Sequence, residues 1–488
     1  MAERVVVIGG SVAGLAVGIG LHERGIPAVV LERDPVADCA GGEAAFATWR
    51  RPGVTQFRQA HGFSARSRNL LLEHAPAVVD ALVDDGVEVV NFFKLLAPQE
   101  MWTEADEAYG ALWTRRPGFE LALRRYAEGF LDIRAPAAAV ALEFAGANGG
   151  PPRVSGVRLD DGTVLEADVV VDASGRRSPV PRWLGDMGVE LGMDDQDCDT
   201  VYFSRYYQRN PSGLPALGLI GAGGGNTDRF GFATFTGDHD TYGLLLVCQP
   251  DDRPLFAFKH PAVFEAVARA IPSLAPWVEP ENGTPIRDPE MMSGNRNRRW
   301  RYVRDGEPVV LGVLPVGDAL CNTNPFYGWG ASLALTHAFA AAAAIADHGG
   351  DLRDVITAYE AAVGTEVDDA YNESAADDRL RIYQWRNQTV PEWDREEMER
   401  RELIRCIAAG SLHDPVLGRA FLRRVNLIDS PAQALADPEV VDHARNTQRI
   451  LAAKAGRRMG PDSDELDEIL AKAKMEHGEP GPGGAPRP

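Results

Sequence analysis

Arg4-Val5-Val6-Val7-Ile8-Gly9-Gly10-Ser11-Val12-Ala13-Gly14 opens the chain, and Glu32-Arg33 closes the apolar run that follows. Residues 4–9 have the short, β-branched character of a buried strand, Ser11–Arg24 has helical spacing, and Ala28–Glu32 is a second strand. The spacing predicts a β–α–β unit. Its turn is G-x-G-x-x-G with Ser11 in the middle, a residue small enough to leave the backbone approachable. Backbone N–H groups and the positive end of a helix dipole at such a turn hold a pyrophosphate. Glu32 stands 18 residues after Gly14, where a carboxylate accepts hydrogen bonds from an adenosine ribose. The expected grip comprises Gly9, Gly10, Ser11, Ala13, Gly14, Glu32 and Arg33. A tight structural turn is the plainer alternative, and the motif does not separate NAD from FAD, which use the same grip.

Outward from that unit, 488 residues at roughly 150 per domain make two or three domains. With 45% hydrophobic and 25% charged residues the chain is globular, neither collagenous nor disordered throughout. Fifty Lys and Arg against 71 Asp and Glu leave a formal charge of −21, which repels polyanions, so no nucleic-acid partner is expected. Cys39, Cys198, Cys248, Cys321 and Cys406 are odd in number and far apart, unlike a disulfide framework or a zinc knuckle. A reducing, cytoplasmic setting is expected. Val5–Leu21 lacks charge but runs into His22, Glu23 and Arg24 without a small-residue cleavage site, and no longer apolar run suggests a membrane span.

Further along, Asp160-Asp161-Gly162 joins two short strands as a hairpin, and Asp168–Asp172 is another strand. Val201–Gln208, Arg229–Thr236 and Thr241–Cys248 are aromatic, β-rich runs expected to form an antiparallel sheet. Val309–Val316 reads as a continuous strand and Ala331–Asp347 as an alanine-rich helix. After about residue 366 the pattern is helical and charged, with Glu397, Glu399 and Arg400 reading as a solvated face. The Gly- and Pro-rich residues 477–488 read as a disordered tail, and no internal repeat is present.

The choice between dinucleotides comes from Gly317-Asp318-Ala319 and Asn324-Pro325-Phe326-Tyr327-Gly328-Trp329-Gly330-Ala331. An acid at a strand end binds ribityl hydroxyls, and a glycine-rich helix entry brings N–H groups to a flavin carbonyl. Here the chain resembles the flavoprotein monooxygenases typified by p-hydroxybenzoate hydroxylase, over roughly residues 1–365. Their second FAD motif, G-D-A followed by P-x-x-G-x-G, is matched by Gly317, Asp318, Ala319, Pro325, Gly328 and Gly330. Arg51-Pro52-Gly53-Val54 is similar to the family's R-x-G-V segment, whose arginine reaches the cofactor pyrophosphate. The continuation, residues 55–61, is similar to a segment of the actinomycete polyether epoxidases, with Thr55 for Pro and Gln59 for His. Arg116 corresponds to the arginine that contacts FAD from a helix start. Both arginines also suit plain ion pairs. The third motif, usually D-A-D-G, is Asp172-Ala173-Ser174-Gly175, so Ser174 replaces an acid that the family links to both FAD and nicotinamide binding.

The resemblance implies an α/β fold with a Rossmann-like FAD-binding domain (residues 1–75, 110–180 and 300–365), an antiparallel substrate domain (76–109 and 181–299) and a C-terminal helical region (366–476). It implies FAD as cofactor, NADPH or NADH as electron donor, dioxygen as co-substrate, and a small, largely apolar, polyketide-like substrate that is epoxidised or hydroxylated. Tyr202, Phe203, Tyr206, Tyr207, Phe230, Phe232 and Phe235 would line the pocket in part, or simply be core; Phe326, Tyr327 and Trp329 abut the flavin in the family. No residue stands out as an acid or base. The basic run Asn295–Tyr302 either attracts an anionic ligand or is a salt-bridged strand face, and Cys321 is more readily packing than a redox partner. A redox-neutral cyclase with structural FAD, and a flavin-dependent reductase or dehydrogenase of an unsaturated lipid, remain as alternatives. Nucleophile-elbow, C-x-x-C and H-E-x-x-H motifs are absent, so no metal is expected.

Overall fold

The computed structural model describes residues 4–36, 38–146, 150–215, 223–453 and 458–476; the expected tail 477–488 lies outside them. At its centre is a parallel sheet in the order Val313–Pro315, Val169–Asp172, Val5–Ile8, Ala28–Leu31, Asp132–Arg134. Val5 pairs with Ala28 on one side and Val169 on the other, and all four residues of Val5–Ile8 are buried, the run of apolar residues that a strand covered on both faces requires. Helix α1 (Val12–Glu23) follows the first strand, and α2 (Arg116–Glu128) packs beside it. Helix α3 (Gly330–His348) crosses α1 closely: a Cβ on Gly20 would lie 2.8 Å from that of Ala342. Although α3 is long and apolar enough to cross a membrane, its Leu335, Ala338, Ala341, Ala342 and Ile345 are buried in the main core.

The expected continuous strand Val309–Val316 is shorter, Val313–Pro315, because Gly312 takes φ +75° and breaks the extended run. Other expected strands and helices agree within about a residue or two at their ends.

A second, six-stranded sheet contains Val201–Arg209, Phe230–Thr236 and Thr241–Cys248 in antiparallel register, with Val201 opposite Cys248 and Phe230 opposite the same residue. Side chains alternate across it. Phe203, Tyr207, Phe230 and Phe232 face away from the parallel sheet and pack on the helices Pro261–Arg269 and Ser463–Glu476. Fully burying each of these aromatics contributes roughly 2–3 kcal/mol.

Helix α4 (Leu352–Trp385) is one continuous 34-residue helix, so the expected division at residue 366 falls inside it. It runs from the main core, through Val355 and Tyr359, directly into the C-terminal region of α5 (Arg395–Gly410) and α6 (Pro415–Val425). The region assigned to the substrate domain at 76–109 is also shared, since Val78, Val79 and Leu82 belong to the main core.

Candidate active site

Tight geometry at the first turn follows from its glycines. Gly9 has φ +109°, and a Cβ there would sit 2.4 Å from the carbonyl oxygen of Ala173; one on Gly14 would sit 1.8 Å from that of Gly9. The N–H of Gly10 donates to Glu32 Oε2 at 2.9 Å. No side chain caps the start of α1, where Ser11 is the N-cap, so its first N–H groups stay available to an anion. The start of α3, at Gly330 and Ala331, is uncapped by side chains as well. Gly317, φ +60°, joins the two: a Cβ there would meet Ala13 at 3.2 Å and Ala334 at 3.3 Å. The two distant motifs therefore meet at one place.

Charged residues surround that junction. Arg51, its side chain 2% exposed, donates to Glu32 at 2.6 Å, to Asp34 at 3.3 Å and to Glu120. Sequence reasoning missed Glu120, which is fully buried and accepts from Ser11 Oγ at 2.9 Å and from Arg116 Nε at 3.3 Å. Only its position one turn after Arg116 on α2 could have signalled it. Burial pulls the Arg116 guanidinium down to about 10; nearby Asp318 supports its charge, and Arg51 opposes it. Burial likewise raises Asp318, against the pull of Arg116 and Arg176. A buried cation near two uncapped helix starts fits a pyrophosphate, and Asp318 at the sheet edge fits ribityl hydroxyls. These residues suit FAD: Glu32 for the ribose, the Gly9–Gly14 turn with Arg116 for the pyrophosphate, Asp318 and the α3 entry for the flavin half.

Four other expected residues have these surroundings. Arg33 is exposed and donates to the carbonyl of Gly53 at 3.3 Å. Asp172 accepts from the hydroxyls of Ser174 and Ser178, each at 2.5 Å, and holds its own turn, in which Gly175 takes φ +81°. Pro325 is exposed, at the head of the turn that Gly328 ends with φ +69°. The basic run is a salt-bridged strand: Arg296 and Arg298 pair with Asp195, Arg299 with Glu360, and Arg301 with Asp194. Cys321 is buried with its thiol pushed up to about 12 by burial, which suits packing.

Beside the junction is a cavity of about 1000 Å³. His61, Gly62, Phe326 and Gly328 form its flavin side. His61 Nδ1 donates to the carbonyl of Gln59 at 2.8 Å, which leaves Nε2 to accept from Arg116 at 3.4 Å. Burial, with the charge of Arg116, holds this imidazole down to about 3, so it is neutral. Phe92, Phe93, Leu112, Trp113 and Phe235 supply apolar wall. Of the seven aromatics expected from the middle sheet, Phe235 alone lines it; Tyr202 donates instead to Asn324, and Tyr206 to the Gln59 carbonyl. Trp329 is buried behind Tyr327, stacked on it at 4.4 Å.

The opposite wall comes from the charged C-terminal helices, as Ile404, Ala408, Leu412, Phe421 and Leu422 face the cavity. Asp377, Arg381, Arg401 and Arg424 line it too, none of them singled out by any motif. The face read as solvated is solvated only at Glu399: Glu397 and Arg400 are half-buried and paired at 2.9 Å.

Residues 4–178 match the family described as FAD binding domain. The chain is 24% identical to Protein Rv3254 of Mycobacterium tuberculosis over 459 residues, 88% of this chain and 90% of that protein. Among solved structures it resembles the Diels-Alderase PyrE3 of pyrroindomycin biosynthesis (TM-score 0.57, 17% identity, 88% of this chain and 81% of that one). It also resembles pqsL, a probable FAD-dependent monooxygenase from Pseudomonas aeruginosa (TM-score 0.56, 16% identity, 78% and 96%). The chain is thus a flavoprotein whose residues 4–178 form an FAD-binding domain, on a fold shared with FAD-dependent monooxygenases.

Proposed function

We propose that this flavin-dependent oxidoreductase is a monooxygenase that epoxidises or hydroxylates a largely apolar, polyketide-like small molecule. One observation carries this reading: the 1000 Å³ cavity, mostly apolar, shares the Phe326–Gly328 loop and His61 with the place where the two FAD motifs meet. When bound and reduced by NADPH or NADH, FAD supplies the oxygen chemistry: one atom of dioxygen enters the substrate and the other leaves as water. The chain's own residues grip and orient. Glu32, oriented by the Gly10 amide, would hold the ribose end, Arg116 would meet the phosphates, and the apolar wall would exclude water from the reacting carbon. His61 stays neutral, Asp377 stays ionised and Tyr327 stays protonated, so none is poised to move a proton near pH 7. Attack on an alkene needs no such group. The free, buried cysteines among the described residues support a reducing, cytoplasmic setting.

Turnover under isotopically heavy dioxygen with a nicotinamide donor tests the reading; it expects product that gains one heavy oxygen atom. A redox-neutral cyclase is the second reading, motivated by Ser174 in the nicotinamide-linked motif and by the likeness to a Diels-Alderase across most of the chain. Product isomeric with substrate, formed without donor, would establish it instead.

A further inference from the structure

The cavity has one polar end, built around Tyr327. Its hydroxyl accepts from Arg401 Nη1 at 3.2 Å and hydrogen-bonds to Asp377. Arg381 donates to Asp378 and to Asp377, each at 2.5 Å, and lies over the Phe326 ring at 4.6 Å. Arg424 donates to Glu373 at 2.6 Å and lies over Tyr327. Arg401 also pairs with Glu373 at 3.0 Å and with Glu397 at 2.8 Å, and Arg400 pairs with both.

Four guanidiniums, of Arg381, Arg400, Arg401 and Arg424, therefore meet four carboxylates, of Glu373, Asp377, Asp378 and Glu397. The cluster is rich in donors and its formal charges cancel; burial raises Asp378, against the pull of Arg381. Of the other charged side chains on the wall, Arg405 stands 3.6 Å from Glu402, and Asp414 hydrogen-bonds to His443 at 2.6 Å. A ligand carboxylate entering here would find every guanidinium of the cluster already neutralised, and a second anion in a low-dielectric wall costs free energy unless a new cation meets it. A hydroxyl or carbonyl oxygen has no such cost and still gains hydrogen bonds.

We propose that the molecule taken into this cavity is uncharged at neutral pH, an apolar skeleton bearing a hydroxyl or carbonyl oxygen that lies against Tyr327, Arg381 and Arg401. This deepens the reading above and rests on it only in taking the cavity as the substrate site. Asp377 is the residue that closes the balance, because it serves both Arg381 and Arg401. Its loss would leave those two guanidiniums with a surplus positive charge facing the cavity.

The test is binding of a matched pair of probes, farnesol and farnesoic acid, to the FAD-loaded protein at pH 8, followed by tryptophan fluorescence, since Trp113 stands in the wall. Farnesol is expected to bind at least about tenfold more tightly than the acid. In Asp377→Asn the ratio is expected to shrink or reverse. Tyr327→Phe removes a hydroxyl and no charge, so farnesol is expected to weaken several-fold while the acid is unaffected. The proposal is overturned if the acid binds the unaltered protein as tightly as the alcohol or more so, or if the ratio is the same in Asp377→Asn. Binding is read without turnover, so a preference for the acid would count against the charge inference alone and would leave the oxygenation reading to the heavy-dioxygen experiment.

Discussion

Asn324 Nδ2 donates to Asp378 Oδ1 at 2.7 Å, a buried hydrogen bond that ties the loop entering α3 to the middle of α4. Asn297 donates to the other oxygen of Asp378 at 2.8 Å, and the Asn324 backbone N–H donates to Ser374 and Asn297. The flavin-side loop is thus held by the C-terminal region from below as well as by its own strand. Asn324→Ala leaves part of this network unsatisfied and is expected to cost about 1–3 kcal/mol. Melting temperature and retained FAD should fall together. A variant that melts normally and keeps its FAD would show the tie to be dispensable.

Gly10 is the point at which an added methyl group most directly tests the first turn. A Cβ there would lie 2.8 Å from that of Glu32. Gly10→Ala is expected to displace Glu32 and weaken FAD binding by at least about tenfold, or ~1.4 kcal/mol. Far-UV circular dichroism should be preserved, since Gly10 lies before the Ser11 N-cap, outside α1. FAD titration of stripped protein measures the effect.

His337 gives the fold an acid sensitivity. It is fully buried, its Nδ1 accepts from the Gly317 N–H at 3.2 Å, and burial holds it down to about 3. Between pH 6.5 and 3 the unfolded chain binds a proton there that the folded chain refuses, so stability rises with pH across that window and is lost as pH falls. At pH 5 the loss is up to about 2 kcal/mol, from 1.36 kcal/mol per pH unit. His61 acts in the same direction but more weakly, because water reaches the cavity wall. His337→Phe should be less stable than the parent at pH 7.5 yet show a flatter fall toward pH 5 in urea titrations.

The C-terminal wall should set size selection without touching the cofactor. Ala408 faces the cavity from α5, remote in sequence from both FAD motifs. Ala408→Trp is expected to leave FAD content unchanged and to lower kcat/KM for large substrates by about tenfold or more, chiefly through KM. Equal turnover of large and small substrates by the variant would remove the C-terminal helices from the substrate wall.

Much of the cofactor half was legible because its requirements are local. Only glycine fits at Gly9, Gly14 and Gly317, and those residues stand in the sequence at fixed distances from a strand and a helix. The pocket was less legible. Phe203 and Phe232 carry the same composition signal as Phe235, and strand register alone decides that the first two face away from the cavity. Asp377, Arg381 and Arg401 gave no signal because they sit in a charged helical stretch; their burial depends on α4, α5 and α6 packing against the Tyr327 loop, which no short stretch encodes. Glu120 was hidden for a similar reason, as an acid on a helix two of whose three partners are 69 and 109 residues away.

The central claim is that the Gly9–Gly14 turn and the Gly317–Ala331 segment close around a single FAD. The most direct measurement is the visible spectrum of the purified chain, with the cofactor then stripped, identified by mass and titrated back. The account expects a yellow protein that takes up one FAD per chain with a shifted absorption band. A colourless protein that takes up no FAD on titration would contradict it.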